Sequence, residues 1–202
     1  MVLEVAFSER YRVGGENFVS NDLTLVLRFL QGIEAESRDF PMPTADETRW
    51  AKAPFRASNS MARAFILALA AMRPRNLTTG ALVDTTSALS QYNKKEYHHV
   101  YPRAYLKREG VRGEHNAIAN VCMLINVENN KVSDADPSTY LPRYIRDLGD
   151  RAADVFASNI LPDPGGFDYA QSDYDAFLSA RSALIASVVR QLCEGGREFL
   201  NS

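Results

Sequence analysis

Cysteine is scarce in this chain of 202 residues. Cys122 and Cys193 are its only two thiols, they lie far apart, and no Cys-x-x-Cys pair exists. A cysteine-caged structural zinc site is therefore not expected, and a buried thiol is the default reading of each. The sparse cysteine usage fits a cytoplasmic protein. No stretch approaches the ~18 uninterrupted apolar residues of a membrane span. The first residues, Met1 to Ser8, lack the basic start and apolar run of a signal peptide. Excess charge is lacking too. With 23 basic and 25 acidic residues the formal net charge is -2, which argues against a globally basic nucleic-acid binder but not against a local patch. Histidine is the last scarcity: there are three, and two of them are adjacent.

What is present suffices for one domain, or one domain plus a small subdomain, with 46% hydrophobic residues to build a core. The patterning is mostly helical. Asn21-Asp22 is expected to cap a helix running to about Gly32, with an apolar stripe of Leu23, Val26, Leu27, Leu30 and Ile33. Residues 34–58 read as a long loop with a short helix near Trp50. Ser58-Asn59-Ser60 is expected to cap a helix from Met61 to about Met72, apolar on several faces as for a helix buried all round, and ended by Arg73-Pro74. Lys95 to Tyr101 and Asn120 to Val127 read as strands, separated by one helical turn (Ala104 to Arg108) and a loop (Gly110 to Asn116). Ser133 or Asp134 is expected to cap a helix with Pro137 in its first turn. A helix from Asp150 to Leu161 ends at Pro162. Ser172 with Asp175 resembles a capping box opening an amphipathic helix that ends at Gly195-Gly196. The expected fold class is α+β, mainly α-helical, with a small strand–loop–strand–helix unit embedded among helices. The chain divides into a helical part (1–92), a core (93–149) and C-terminal helices (150–202).

The chemistry concentrates in Tyr97-His98-His99-Val100-Tyr101-Pro102, followed by Asn120 and by Asn129-Asn130-Lys131. Hydrolysis of a phosphodiester needs an activated water and a cation on the phosphate and leaving oxygen. An imidazole with a pKa of about 6.5 suits water activation near neutral pH. Neighbouring residues on a regular strand point to opposite faces, so His98 and His99 serve one site only if the strand ends or bulges there.

These residues resemble the HNH, or ββα-metal, nuclease domain of GmrSD-type restriction proteins. His98 to Leu106 is similar to that family's HHIFPKxxL signature. Asn116 and Asn120, the apolar run from Val121 to Ile125, Asn129, Lys131, Val132, Ser133, Asp134, Pro137, Tyr140 and Leu141 follow its continuation. The close likeness covers His98 to Leu141, with a weaker one at 73–80 and 174–181. The resemblance implies an endonuclease or nickase active on DNA, dependent on Mg²⁺ or Mn²⁺, in restriction of foreign DNA. It implies His99 as general base and His98 as metal ligand, the alternative being that His98 supports the fold. It implies that Asn120 ties the loop between the strands and orients the base, with Asn116 a rival for the task. Asn129 is the implied second metal ligand, with Asn130 beside it. Lys131 either contacts a phosphate or is simply solvated. The nucleotide-binding N-terminal domain of such proteins, with its Asp-Gly-Gln-Arg-type motif, has no counterpart here, so a sensor domain or separate subunit is an expected partner.

Around the doublet, Lys94, Lys95, Arg103, Lys107, Arg108 and Arg112 face only Glu96 and Glu109 between residues 94 and 112. Beside a phosphodiesterase site such a cluster reads as a footprint for the phosphate backbone. No base-reading motif accompanies it. Two other readings stay open: a non-catalytic DNA-binding module, and a ribonuclease.

Overall fold

The computed structural model describes residues 17–24, 27–28, 31, 48–56, 58–86, 97–123, 134–171 and 173–193. The described chain is mainly helical around one two-stranded antiparallel sheet. Its labelled elements are α1 (Thr48–Lys52), α2 (Ser60–Ala71), β1 (Tyr97–His99), α3 (Arg103–Arg108), β2 (Val121–Met123), α4 (Pro137–Leu148), α5 (Ala152–Ser158) and α6 (Tyr174–Cys193). Among the described residues, no helix is long and apolar enough to cross a membrane.

The helix α2 forms where strong helix formers run together and Asn59 accepts the N–H of Met61 at 2.8 Å. It ends at Arg73, whose φ of 52° leaves the helical region before Pro74. Met61, Phe65, Ile66 and Leu69 are buried, but Arg63 and Leu67 are exposed, so one stripe of α2 stays open rather than the helix being enclosed all round. The short helix near Trp50 is α1, and its indole is buried against Phe65.

The strands are short, and their register pairs Tyr97 with Met123, His98 with Cys122 and His99 with Val121. A two-stranded ribbon alone is marginal in water. Here Val121, Cys122 and Met123 are all buried, so packing against the helices holds the ribbon. Pro102 follows β1, and a 3-10 turn over Ile118–Asn120 feeds β2. The expected strand residues Lys95, Glu96 and 124–127 fall outside the described residues. Helix α3 closes with a Schellman pattern: Val111 N–H reaches Leu106 O, Gly110 N–H reaches Lys107 O, and Gly110 takes φ 64°.

Asp136 caps α4, accepting Ser138 N–H at 2.9 Å with Pro137 as the first helical residue. The cap therefore sits two residues beyond Asp134, because the side chain must precede the first free N–H groups. The phenol of Tyr140 donates to Val100 O, tying α4 to the end of β1. The helix expected over Asp150–Leu161 is a 3-10 turn (Gly149–Arg151) followed by α5. Its end repeats the Schellman pattern, with Leu161 N–H on Phe156 O and Ile160 N–H on Ala157 O. Here the left-handed position belongs to Ile160, at φ 52°. A β-branched residue there is strained. At α6 the carboxylate of Asp173 accepts Ala176 N–H at 2.9 Å; Ser172 lies outside the described residues.

From α6 the Arg181 side chain enters the core, fully buried. It donates to Ile160 O (3.0 Å), Ala119 O (3.0 Å) and Asn159 O (3.1 Å). One guanidinium thus joins the strained end of α5 to the turn before β2. Residues 17–24 are helical, so Asn21 and Asp22 sit inside a helix rather than at its cap. Leu23 and Leu27 of the expected stripe are 60% and 52% exposed, and Val26, Leu30 and Ile33 fall outside the described residues.

Candidate active site

Strand alternation divides the histidine doublet. His98 is 7% exposed and sits on the face of β1 that carries Cys122, itself fully buried and with its thiol pushed up to about 12 by burial. His99 lies on the opposite face, partly exposed, at the end of the strand. The two rings do not converge in the described structure.

The His99 imidazole is held by Asn116, with Nε2 and Oδ1 2.8 Å apart. Asn116 is itself fixed on three other sides. Its Nδ2 donates to Phe55 O at 2.8 Å, its carbonyl accepts Phe55 N–H at 2.6 Å, and its N–H donates to Glu114 Oε1 at 2.8 Å. Because Nδ2 is committed to a carbonyl, Oδ1 faces the histidine, and the shared proton belongs on Nε2. The lone pair of the neutral ring then sits on Nδ1. Burial holds the His99 pKa below the ordinary histidine value; the Asn116 bond opposes this, and the nearby Arg103 charge adds to the lowering. The net lowering favours the neutral ring.

Asn120 performs a different task. Fully buried, it accepts Tyr101 N–H on Oδ1 (2.8 Å) and donates through Nδ2 to Tyr101 O (2.9 Å) and His115 O (3.0 Å). Its carbonyl accepts Val100 N–H at 2.8 Å. Its side chain thus bonds three backbone groups and also meets the Tyr174 hydroxyl, so it ties the two strand ends together. Of the two contacts expected of Asn120, it makes the loop-tying one, while the contact to the His99 ring belongs to Asn116. His115, the third histidine, is turned to Val111 O at 2.6 Å.

Of the basic set, Arg103 opens α3 beside His99 and is exposed, as are Lys107 and Arg112. Arg108 is engaged, with Glu109 at 2.9 Å and Asp134 at 3.4 Å, so a phosphate would compete with two carboxylates there. Lys94, Lys95, Asn129, Asn130 and Lys131 lie outside the described residues. Among the described residues no three His, Cys, Asp or Glu side chains group at metal-binding spacing. The described donors near His99 therefore do not make a metal cage, and His98 is turned to the interior.

Two clefts open elsewhere. One of about 400 Å³ lies between α1 and α6, lined by Lys52, Glu114 and Asp175; the other, about 480 Å³, lies between α4 and the Pro164–Ala170 loop. Neither is lined by His99.

Two residues with defined roles are not announced by the sequence pattern. Phe55 orients Asn116 through its backbone, a role invisible in residue type. Arg181 falls within the weaker likeness at 174–181, and an arginine on the apolar side of an amphipathic helix is the available signal. No protein family, no functionally characterised protein and no solved structure matches the chain.

Proposed function

We propose that this protein hydrolyses phosphodiester bonds in nucleic acid, with His99 as general base. One observation carries the reading: a neutral, partly exposed imidazole whose Nε2 is fixed by Asn116 and whose Nδ1 is left to accept a proton. In this reading Nδ1 takes a proton from the attacking water as it closes on phosphorus. Asn116 holds the ring in one tautomer and orientation, and stabilises the imidazolium that forms through the same hydrogen bond. Burial, with a smaller contribution from Arg103, favours the unprotonated base between turnovers, and Arg103 places positive charge beside the ring, where it attracts the phosphate. Asn120 keeps the two strand ends in register. A Mg²⁺ or Mn²⁺ ion, implied by the resemblance to HNH nucleases with Asn129 and His98 as its ligands, would supply Lewis-acid stabilisation of the leaving oxygen. His98 can join that pair only if its ring turns out of the interior. The roles of Lys131 at a phosphate and of Lys94, Lys95, Lys107, Arg108 and Arg112 along the backbone belong to the same proposal. The likeness to restriction effectors makes foreign DNA the proposed substrate.

The test is incubation of the wild type and His99→Ala with supercoiled plasmid and with structured RNA, in Mg²⁺, Mn²⁺ or EDTA. The expected result is plasmid nicking that EDTA abolishes and that His99→Ala slows by about 10²–10⁴-fold, the usual contribution of general-base catalysis. Undiminished cleavage in excess EDTA would sink the metal dependence. Full activity of His99→Ala would remove the base. Loss of RNA with intact plasmid would transfer the reading to a ribonuclease.

A further inference from the structure

Most aromatic rings are interior among the described residues, the exceptions being Phe18, Phe55, Tyr97 and Phe167. Trp50, Phe65, Tyr101, Tyr140, Tyr144, Phe156, Tyr169, Tyr174 and Phe177 are buried. Among the described ring pairs, one has both members partly exposed: Phe55 and Tyr97, with centroids 5.6 Å apart and planes tilted by 50°. Its position is specific. Tyr97 precedes His99 by two residues on β1, so both side chains leave the same face, about 7 Å apart along the strand. Phe55 is bonded through its backbone N–H and C=O to Asn116, the residue that holds the His99 ring. Two exposed arginines belong to the same region: Arg56 follows Phe55 in the chain and Arg103 acts on the charge of His99, and neither is paired with a carboxylate among the described residues.

Partly exposed aromatic rings, here packed on one side against the core and accompanied by arginines, have a specific chemistry. A base paired within a duplex offers its edges and not its faces, whereas an unpaired base offers a π-face that stacks on a ring. Proteins that hold single strands combine such rings with positive charge along the backbone. We infer that Phe55 and Tyr97 form a stacking platform for an unpaired nucleobase, placing the phosphate beside that base at His99. The inference deepens the phosphodiesterase reading and rests on it for the role of His99. It narrows the substrate to single-stranded or locally unpaired nucleic acid, DNA or RNA, since every base carries a π-face.

The test measures binding apart from cleavage. Fluorescein-labelled oligo-dT, oligo-rU and a mixed-sequence DNA duplex of equal length are titrated in EDTA and followed by anisotropy. The wild type is expected to bind the single strands more tightly than the duplex. Phe55→Leu keeps an apolar side chain and the backbone bonds to Asn116 but removes the π-face. It should weaken single-strand binding by about 5- to 150-fold, the usual range for one stacked base, and narrow the preference over duplex. Phe55→Trp should retain the affinity, and its added fluorescence should be quenched by oligo-dT. Loss on both single-strand arms, or on one alone, supports the platform and identifies which nucleic acid it serves. Folded Phe55→Leu with single-strand affinity within about twofold of wild type overturns it. So does an unquenched added signal in Phe55→Trp, or a wild type that favours duplex. Should Phe55→Leu fail to fold, the quench in Phe55→Trp alone decides. A wild type that nicks plasmid but shows no single-strand preference overturns the platform and leaves the hydrolase reading. A wild type that cuts nothing, yet loses single-strand binding in Phe55→Leu, overturns the hydrolase and leaves the platform.

Discussion

Arg181 and His99 are both nitrogen-rich side chains held by a turn and backbone carbonyls or an asparagine, yet they are finished differently. Arg181 lies wholly inside, with Nε, NH1 and NH2 each on a carbonyl and no carboxylate in contact among the described residues. Burial lowers its pKa to about 10, so it stays charged at neutral pH. Its donors go to the peptide groups that set the end of α5 and the turn before β2. His99 sits at the surface with one nitrogen tied to Asn116 and the other uncommitted in that arrangement. A group whose bonding capacity is spent on backbone holds the fold. A group oriented on one side and open on the other can exchange a proton with something that arrives.

The comparison breaks most visibly at Arg181. Arg181→Ala leaves three buried carbonyls without donors and opens space in the core, and should destabilise the protein by about 3–5 kcal/mol. Urea unfolding measures this, and a loss below about 1 kcal/mol would mean that water replaces the guanidinium readily. Asn116→Ala should act on rate rather than fold. Turnover should fall about 10–100-fold with KM little changed, as when a partner that orients a working imidazole is removed. Because the Asn116 bond raises the His99 pKa, its loss also moves the acid limb of the pH–rate profile to lower pH. A rise in KM at constant turnover would instead place Asn116 in substrate binding. The smallest effect is expected from Arg103→Gln. The base must be neutral to work, so activity rises with pH through a His99 pKa that lies below the usual value. Arg103 contributes to that lowering, and removing it should shift the acid limb upward, opposite to Asn116→Ala. Equal shifts in the two variants would show that general unfolding, and not these two contacts, governs the limb.

Much of the local structure was legible because its causes are local. Asn59 caps the helix that its position announces and Pro137 opens α4 as its missing N–H requires, whereas β1 ends at His99 rather than running to Tyr101 before Pro102. The strand face rule identified the conflict between His98 and His99, and the pairing of His98 with Cys122 puts the former in the interior. The divided roles of Asn116 and Asn120 were not legible. The four-residue spacing fits either task, and the choice is made by Phe55, which lies 61 residues from Asn116. The apolar stripe at Leu23 and Leu27 carried the periodicity of a core-facing helix, yet both side chains are largely exposed. Periodicity reports that a face is apolar and is silent on what covers it. Arg181 was hidden for the opposite reason, because its partners are main-chain carbonyls that no side-chain pattern records.

The reach of the Arg181 bond also sets a timetable. It spans 62 residues to Ala119, and the Tyr174 hydroxyl reaches back 60 residues to Glu114 O. During synthesis the doublet and both asparagines leave the ribosome well before these partners exist. At about 5–20 residues per second, the growing chain carries an unanchored site for roughly 3–12 seconds. The turn before β2 is tied down by Arg181 only when α6 has been made.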